Sequence, residues 1–323
     1  MVKIVRELGG YIEFEHYHGA MLHEEGVALN CGRNGLAYLI EAKGIRRMAL
    51  PYFNCDTVAA VCRRMGVAIR YYHSGADFLP EHVVLEPGEW LYLVNYYGQI
   101  NHQQIVRLQA HYGRLIVDNA QAYFAEPVDG VPTIYTCRKF FGVADGAFVM
   151  TDARLGHELP RDESYQRMGF LLGRFERTAS EFYKDYVANN TFFDNEPVKR
   201  MSKLTTNLLR GLDYDAIRRR REENFAYLGQ RFHKQNELSL VCSPGPFMYP
   251  LLLRGGRELR KQLQAQKIYI PTLWPDVFDI CQPEDREYDW AANILPLPVD
   301  QRYDVEDMKG LMDAVEEAME LIS

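Results

Sequence analysis

The stretch LIVDNAQAYFAEPVDGVPTIYTCRKFFGVADGAFVMT, from Leu115 to Thr151, decides how this chain is read. It opens on a short apolar run, Leu115-Ile116-Val117, with Asp118 directly after it in Asp118-Asn119-Ala120-Gln121. A lone lysine then sits in Thr136-Cys137-Arg138-Lys139-Phe140-Phe141-Gly142. The turn Ala144-Asp145-Gly146-Ala147 follows and leads into Phe148-Val149-Met150. Short, continuously apolar runs suit strands buried on both faces, and in such sheets ligands gather at the strands' carboxyl ends. Asp118 occupies such an end.

Outward from that stretch, strand-like and helix-like segments alternate. Met48-Ala49-Leu50 precedes a helical pattern from Asp56 to Met65, and Val67 to Tyr72 is strand-like. Trp90 to Val94 is an apolar run, and a second helical pattern covers His102 to His111. The alternation predicts an α/β fold with a mainly parallel sheet covered by helices on both faces. From Asp162 to Asn189 the pattern is helical and aromatic, and from Met201 to Lys234 helical and charged. An α+β tail completes the chain: strands at Phe247–Leu253 and Ile268–Ile270, a helix from Gly256 to Gln266, and a closing helix from Val305 to Ile322. We expect a large α/β domain over 1–190 and a smaller C-terminal α+β domain over 191–323.

Composition narrows the function classes. The chain has 323 residues, 47% of them hydrophobic, enough for a substantial core. No apolar run approaches the ~20 residues of a membrane span, and charges are scattered through MVKIVRELGGYIEFEHYHG at the start, so a cytoplasmic protein is expected. The net charge is −7 with both signs mixed, which argues against nucleic acid as the main partner. The one basic run, Arg218 to Arg221, precedes Glu222-Glu223 and reads as a solvated helix face. The 6 cysteines form no CxxC pair and are expected to be reduced. His16, His18 and His23 lack a supporting cysteine or carboxylate framework, so no metal site is assigned.

An Asp at a strand end and a lysine among aromatic residues are the pair that pyridoxal phosphate chemistry requires. The carboxylate holds the ring nitrogen protonated, and the amine meets the aldehyde carbon. Gln121 would donate to the ring's phenolic oxygen. An apolar neighbourhood with Arg138 adjacent favours a nucleophilic Lys139, and the same amine, once free, carries a proton to and from the substrate Cα. Taken singly, Asp118 reads equally as a helix cap or loop carboxylate, Gln121 as a helix-start residue and Lys139 as a surface lysine before a strand. Phosphate needs a separate cradle. Asn30-Cys31-Gly32-Arg33-Asn34-Gly35-Leu36 follows a short apolar strand and opens a helix, so Gly32, Arg33 and Asn34 would present free N–H groups to an anion. Thr136 would add a hydroxyl, with Thr133 as the fallback.

In this order, the segments resemble the DegT/DnrJ/EryC1/StrS family of sugar aminotransferases, which have the type I pyridoxal phosphate fold. The resemblance covers nearly the whole chain. Asn30 to Leu36 is similar to the family's phosphate turn, N-S-G-T-x-A-L. Leu50-Pro51-Tyr52 with the helix to Gly66, and Asn95-Tyr96-Tyr97-Gly98, resemble the next βα unit and the strand end that follows it. Asp118 to Gln121 resembles the D-x-A-Q/H element, Lys139 with Asp145-Gly146-Ala147 the lysine and its glycine turn, and Ile294 to Pro298 the late L-x-L-P strand.

The resemblance implies a homodimer with shared active sites. It also implies transfer of an amino group, usually from glutamate, to a nucleotide-linked keto-sugar for polysaccharide or antibiotic sugars. The alternatives are a sugar dehydratase, which on this fold carries histidine in place of the lysine, or a relative with a sensory or structural role. Three positions depart from the family. Arg33 stands where a threonine is usual. Cys55 stands where many members stack an aromatic ring on the cofactor, with Phe53 nearby. Val198-Lys199-Arg200-Met201 replaces the N-x-R-M element whose asparagine reaches the partner's phosphate, so that contact is lost or passes to Arg200 or Ser202. Arg174, Arg177 and Lys184 would meet a diphosphate or form a solvated face.

Overall fold

The computed structural model describes residues 9–322. Seven strands build one sheet: β1 (Val27–Leu29), β2 (Arg47–Pro51), β3 (Ala68–Tyr72), β4 (Glu89–Val94), β5 (Leu115–Asp118), β6 (Thr133–Thr136) and β7 (Ala147–Met150). Their order is β1-β7-β6-β5-β4-β2-β3. Strands β2 to β6 run parallel, and β7 pairs antiparallel with both β1 and β6. Helices α1 (Gly32–Ala42), α2 (Asp56–Arg64) and α3 (His102–Tyr112) make the crossovers. The mainly parallel α/β sheet is thus the one expected.

The central strands carry no polar face because both faces are covered. Tyr92, Val94 and Ile116 enter one core, while Leu91, Leu93, Leu115 and Val117 enter another on the opposite side. This is the two-residue alternation of a strand in which both faces are buried. At their carboxyl ends β4 and β5 give way to polar residues, Asn95 after Val94 and Asp118 itself.

Beyond the sheet come α4 (Gly169–Glu176), α5 (Tyr183–Phe192), α6 (Lys203–Arg210) and α7 (Tyr214–Phe232). The charged stretch read as one helical segment is two helices. Gly211 ends α6, and the Asp213 carboxylate caps α7 by accepting from the Ala216 N–H at 2.9 Å. Strands β8 (Met248–Leu252) and β9 (Ile294–Pro298) form an antiparallel pair. Helices α8 (Gly256–Ala265), α9 (Val277–Ile280), α10 (Arg286–Asn293) and α11 (Val305–Ile322) surround it. A separate core joins Leu228, Leu251, Leu263, Leu295 and Val315.

Two expectations are corrected here. Ile268–Ile270 is not a strand: β8 and β9 pair with each other, and Ile270 instead buries its side chain in the second core. Arg221 is not on a solvated face, for it is 1% exposed while Arg218 remains outside with Asp215 and Glu222. No helix among the described residues is long and apolar enough to cross a membrane. His16 is exposed beside Glu13, and His23 is buried, its Nε2 donating to the Tyr123 carbonyl at 2.7 Å. No three metal-ligating side chains converge among the described residues.

Candidate active site

Asp118 is the last residue of β5, level with Val94 of β4. Its Oδ1 accepts from the Ala120 N–H at 2.8 Å and its Oδ2 from the Tyr92 hydroxyl at 2.9 Å. Tyr92 points to the same face because it lies two residues before Val94. Val117 and Asn119 are buried on either side, while Asp118 itself keeps an open edge. Burial pushes its carboxyl up from the usual range, and the Lys139 ammonium is the main influence opposing this. A carboxylate held this way would gain from a second cation.

Gln121 is 2% exposed. Its Oε1 accepts from the Tyr97 N–H at 2.8 Å, which leaves its Nε2 donor without a partner. Tyr97 takes a left-handed φ of 53°, uncommon for a residue with a side chain, and this aims its N–H at Gln121. The glutamine is therefore oriented: its acceptor is spent and its donor is free, the end needed to meet an oxygen.

Lys139 closes a 3-10 turn, Cys137–Lys139, directly after β6. Its side chain is exposed, with Nζ 5.5 Å from the centre of the Phe247 ring. Arg138 does not accompany it. That guanidinium donates to the Asn190 Oδ1 and lies 4.9 Å from the Phe193 ring, where burial lowers its pKa. Cys55 precedes α2, its thiol 3.0 Å from the Thr57 hydroxyl. Burial pushes this thiol up and the Lys139 charge opposes it, so Cys55 lies on the Lys139 side of the site. Phe53 does not: it is fully buried against Tyr96, Trp274 and Trp290.

The turn into α1 forms a second group. The first bond of the helix runs from the Gly35 N–H to the Cys31 carbonyl, so the N–H groups of Gly32, Arg33 and Asn34 have no acceptor within it. A Cβ on Gly32 would stand 2.5 Å from the Thr136 hydroxyl oxygen, so glycine lets that hydroxyl pack directly on the turn. The side chains of the turn are engaged elsewhere. Arg33 donates to the Asn190 carbonyl and the Asp194 carboxylate at 2.7 and 2.8 Å. Asn34 donates to the Asn30 Oδ1 and the Pro197 carbonyl, both at 2.9 Å. Thr133, the fallback, spends its hydroxyl on the Val131 carbonyl.

Asp145, in the turn before β7, is structural. It accepts from the Ser202 N–H and hydroxyl, each at 2.8 Å, and from the Thr205 hydroxyl. Ser202, committed to Asp145 and to capping α6, is not free to reach a partner's phosphate. Arg200 is exposed and lines a shallow pocket with Tyr38 and Arg154, away from the lysine. Arg177 pairs with Glu181 on the surface. Sequence reasoning missed Tyr92, Asn190, Arg221 and Phe247. Only Tyr92 carried a signal, its parity with the strand end beside Asp118.

No family model matches this chain, and no curated protein matches it by sequence. Solved structures do match it in fold. DesV from S. venezuelae, solved with a ketimine intermediate, has 17% identity and a TM-score of 0.63, covering 90% of this chain and 84% of its own. The pyridoxal phosphate form of Spr1654 from Streptococcus pneumoniae, described as a sugar aminotransferase, has 11% identity, a TM-score of 0.67 and coverages of 94% and 89%. A DegT DnrJ EryC1 StrS aminotransferase from Brucella abortus has 13% identity, a TM-score of 0.62 and coverages of 90% and 85%. The chain therefore has the fold of the sugar aminotransferases along nearly its whole length.

Proposed function

We propose that this chain is a pyridoxal phosphate-dependent aminotransferase that moves an amino group, from glutamate, to the keto group of a nucleotide-linked sugar. The observation that carries the reading is Asp118: a carboxylate at the end of a central parallel strand, pushed up by burial, with the Lys139 charge acting on it from the end of β6. The cofactor's needs fit what surrounds this pair. The Gln121 Nε2 is an orphaned buried donor, and Gly32 lets the Thr136 hydroxyl stand close beside the first N–H groups of α1.

When bound, pyridoxal phosphate supplies an aldehyde carbon that captures amines and a ring that takes up the electrons of a broken Cα–H bond. The rest falls to the protein. Asp118 would hold a proton on the ring nitrogen, and Tyr92 fixes the orientation of its carboxylate. Gln121 would donate to the phenolic oxygen. The Lys139 amine would bind the aldehyde carbon and afterwards carry the substrate Cα proton on Nζ. The Gly32–Asn34 N–H groups and the Thr136 hydroxyl would hold the phosphate. Cys55 would lie against the ring.

The homodimer belongs to the same proposal. Tyr11, 97% exposed, and Phe175, 93% exposed, are rings that a partner subunit would cover. Six free cysteines are what a reducing cytoplasm maintains.

The test is spectroscopic. Protein purified with pyridoxal phosphate is expected to show the visible band of a lysine-linked cofactor, and glutamate in a single turnover should remove it. Absence of the band, or its survival in Lys139→Ala, overturns the proposal. Screening keto-sugar nucleotides against the amine-loaded form then identifies the acceptor.

A further inference from the structure

We infer that Arg221 is a positioning residue for Lys139, holding from α7 the two segments that flank the lysine. The inference rests on Lys139 being the reactive amine.

Arg221 is the last of four consecutive arginines and the one that turns inward, among the largest fully buried side chains of the chain. Its Nη2 donates to the carbonyl of Phe140, the residue after Lys139, at 3.4 Å, and its guanidinium lies 4.6 Å from the Phe140 ring. Its Nη1 donates to the Pro246 carbonyl at 2.9 Å and more weakly to the Phe247 carbonyl at 3.4 Å. Phe247 is the residue whose ring lies under the Lys139 ammonium. The Nε donates to the Gln301 Oε1 at 2.8 Å, and the Gln301 Nε2 donates in turn to the Phe140 carbonyl at 2.7 Å. One rigid fork thus joins α7, the approach to β8, the chain after β9 and the lysine turn.

Burying an unpaired guanidinium is expensive, and no carboxylate pairs with Arg221 at ion-pair distance among the described residues. Burial pushes its pKa down to about 10, with Asp300 as the main opposing charge. A hydrophobic side chain of equal length would fill the space at lower cost but would release the Phe140 and Pro246 carbonyls. Lysine would reach one or two of the acceptors, without the planar fork. What the arginine supplies is geometry: Phe140 and Phe247 bracket Lys139, and both are fixed by the same group. Displacement of a reacting atom by about 1 Å costs on the order of a hundredfold in rate.

The experiment compares Arg221→Met and Arg221→Lys with Leu263→Ala, which weakens the second core far from the lysine. The holoenzymes are assayed below their melting temperatures for the visible band and for its single-turnover loss to glutamate. Arg221→Met should keep the band but react about 10- to 100-fold more slowly at saturating glutamate, with the half-saturating concentration changed less than about threefold. Arg221→Lys should recover part of the rate. Leu263→Ala should melt earlier and react as the wild type does. If Arg221→Met does not fold, Gln301→Leu, which removes the shorter bond to the Phe140 carbonyl, should slow the same step several-fold. A wild-type rate in a folded Arg221→Met or Gln301→Leu, or equal slowing in Leu263→Ala, overturns the positioning role alone. A wild-type protein without the band overturns the cofactor reading and this inference with it.

Discussion

At the ring end of the candidate site, a buried carboxylate and an amide donor are left wanting a partner; at the phosphate end, the cationic side chains are already paired. Asp118 and Cys55 are both pushed up by burial, and the Gln121 Nε2 has no partner. At the other end Arg33 is paired with Asp194, Arg138 with Asn190, and Asn34 donates to Asn30 and Pro197, while the Asn30 Nδ2 and Asn34 Oδ1 have no partner. A fold that closes its own cationic side chains leaves backbone N–H groups and one hydroxyl for an anion. A fold that strands a carboxylate and an amide donor has left two demands for a ligand to meet. The difference predicts where substitutions hurt chemistry and where they hurt little.

The largest effect belongs to Asp118. Asp118→Asn keeps the shape and one of the two accepted hydrogen bonds but removes the charge that would stabilise a protonated ring nitrogen. Electrostatic stabilisation of this kind is worth about 10²- to 10³-fold in rate. The single-turnover reaction with glutamate should slow by that factor while Lys139 still captures the cofactor. A loss below about tenfold would mean that the ring end is not built around this carboxylate.

Next is the close approach of Thr136 to Gly32. Alanine there places a methyl carbon 2.5 Å from the Thr136 oxygen, and forced overpacking costs about 1–3 kcal/mol. Cofactor affinity in a titration should fall by about tenfold or more. In a Thr136→Ala background the clash is gone, so the added cost of Gly32→Ala should shrink, and the two changes should be non-additive. Strict additivity would show that the turn and the hydroxyl do not form one cradle.

Both groups could be read in part from the chain. Asp118 was legible because it ends a short apolar strand, and Lys139 because it stands alone among aromatic residues further along the same stretch, both local patterns. Gly32 was legible because a strand-to-helix turn with glycine is also local. The rest of the site comes from pairings across the molecule. Arg221 meets Phe140, Arg138 meets Asn190 and Lys139 meets Phe247, contacts that helix and strand periodicity do not encode. Arg221 shows the cost of reading locally: four arginines before two glutamates look solvated, and only the packing of α7 against residues 246–247 and 301 selects the one that turns in. Arg138 was read as company for Lys139 because it is adjacent in sequence, yet adjacent residues on a turn point apart.

A smaller effect tests whether the open end extends beyond the ring. Asp276, just before α9, has its pKa raised to about 6 by burial and then by the charges of Asp56 and Asp279, and Asp56 follows Cys55. The sign is fixed by linkage. A carboxyl whose folded pKa lies above its unfolded value of about 3.9 keeps extra protons in the native state, so stability falls as pH rises from about 4 to about 6 and then levels. Because the group is half-buried, screening reduces the contribution to about 1 kcal/mol. Asp276→Asn should therefore melt higher than the wild type at pH 7 and equally near pH 3.5. A variant that melts lower at pH 7 would place Asp276 among the satisfied groups.

The smallest effect is at Arg33, which stands where the resembled family usually has a threonine. An arginine in a phosphate turn invites the reading that its charge binds the phosphate. Its guanidinium instead ends on Asn190 and Asp194, on α5 and just beyond it, and the Asp194 partner is exposed. A surface pair of this kind contributes about 0–1 kcal/mol. The helix N–H groups do not depend on the side chain, so Arg33→Ala should change cofactor affinity by less than about threefold and stability by less than about 1 kcal/mol. The same substitution in a Gly32→Ala background should add nothing further. A tenfold loss of affinity in Arg33→Ala alone would mean that the guanidinium leaves Asp194 when the anion arrives, and that the phosphate end, like the ring end, holds a charge in reserve.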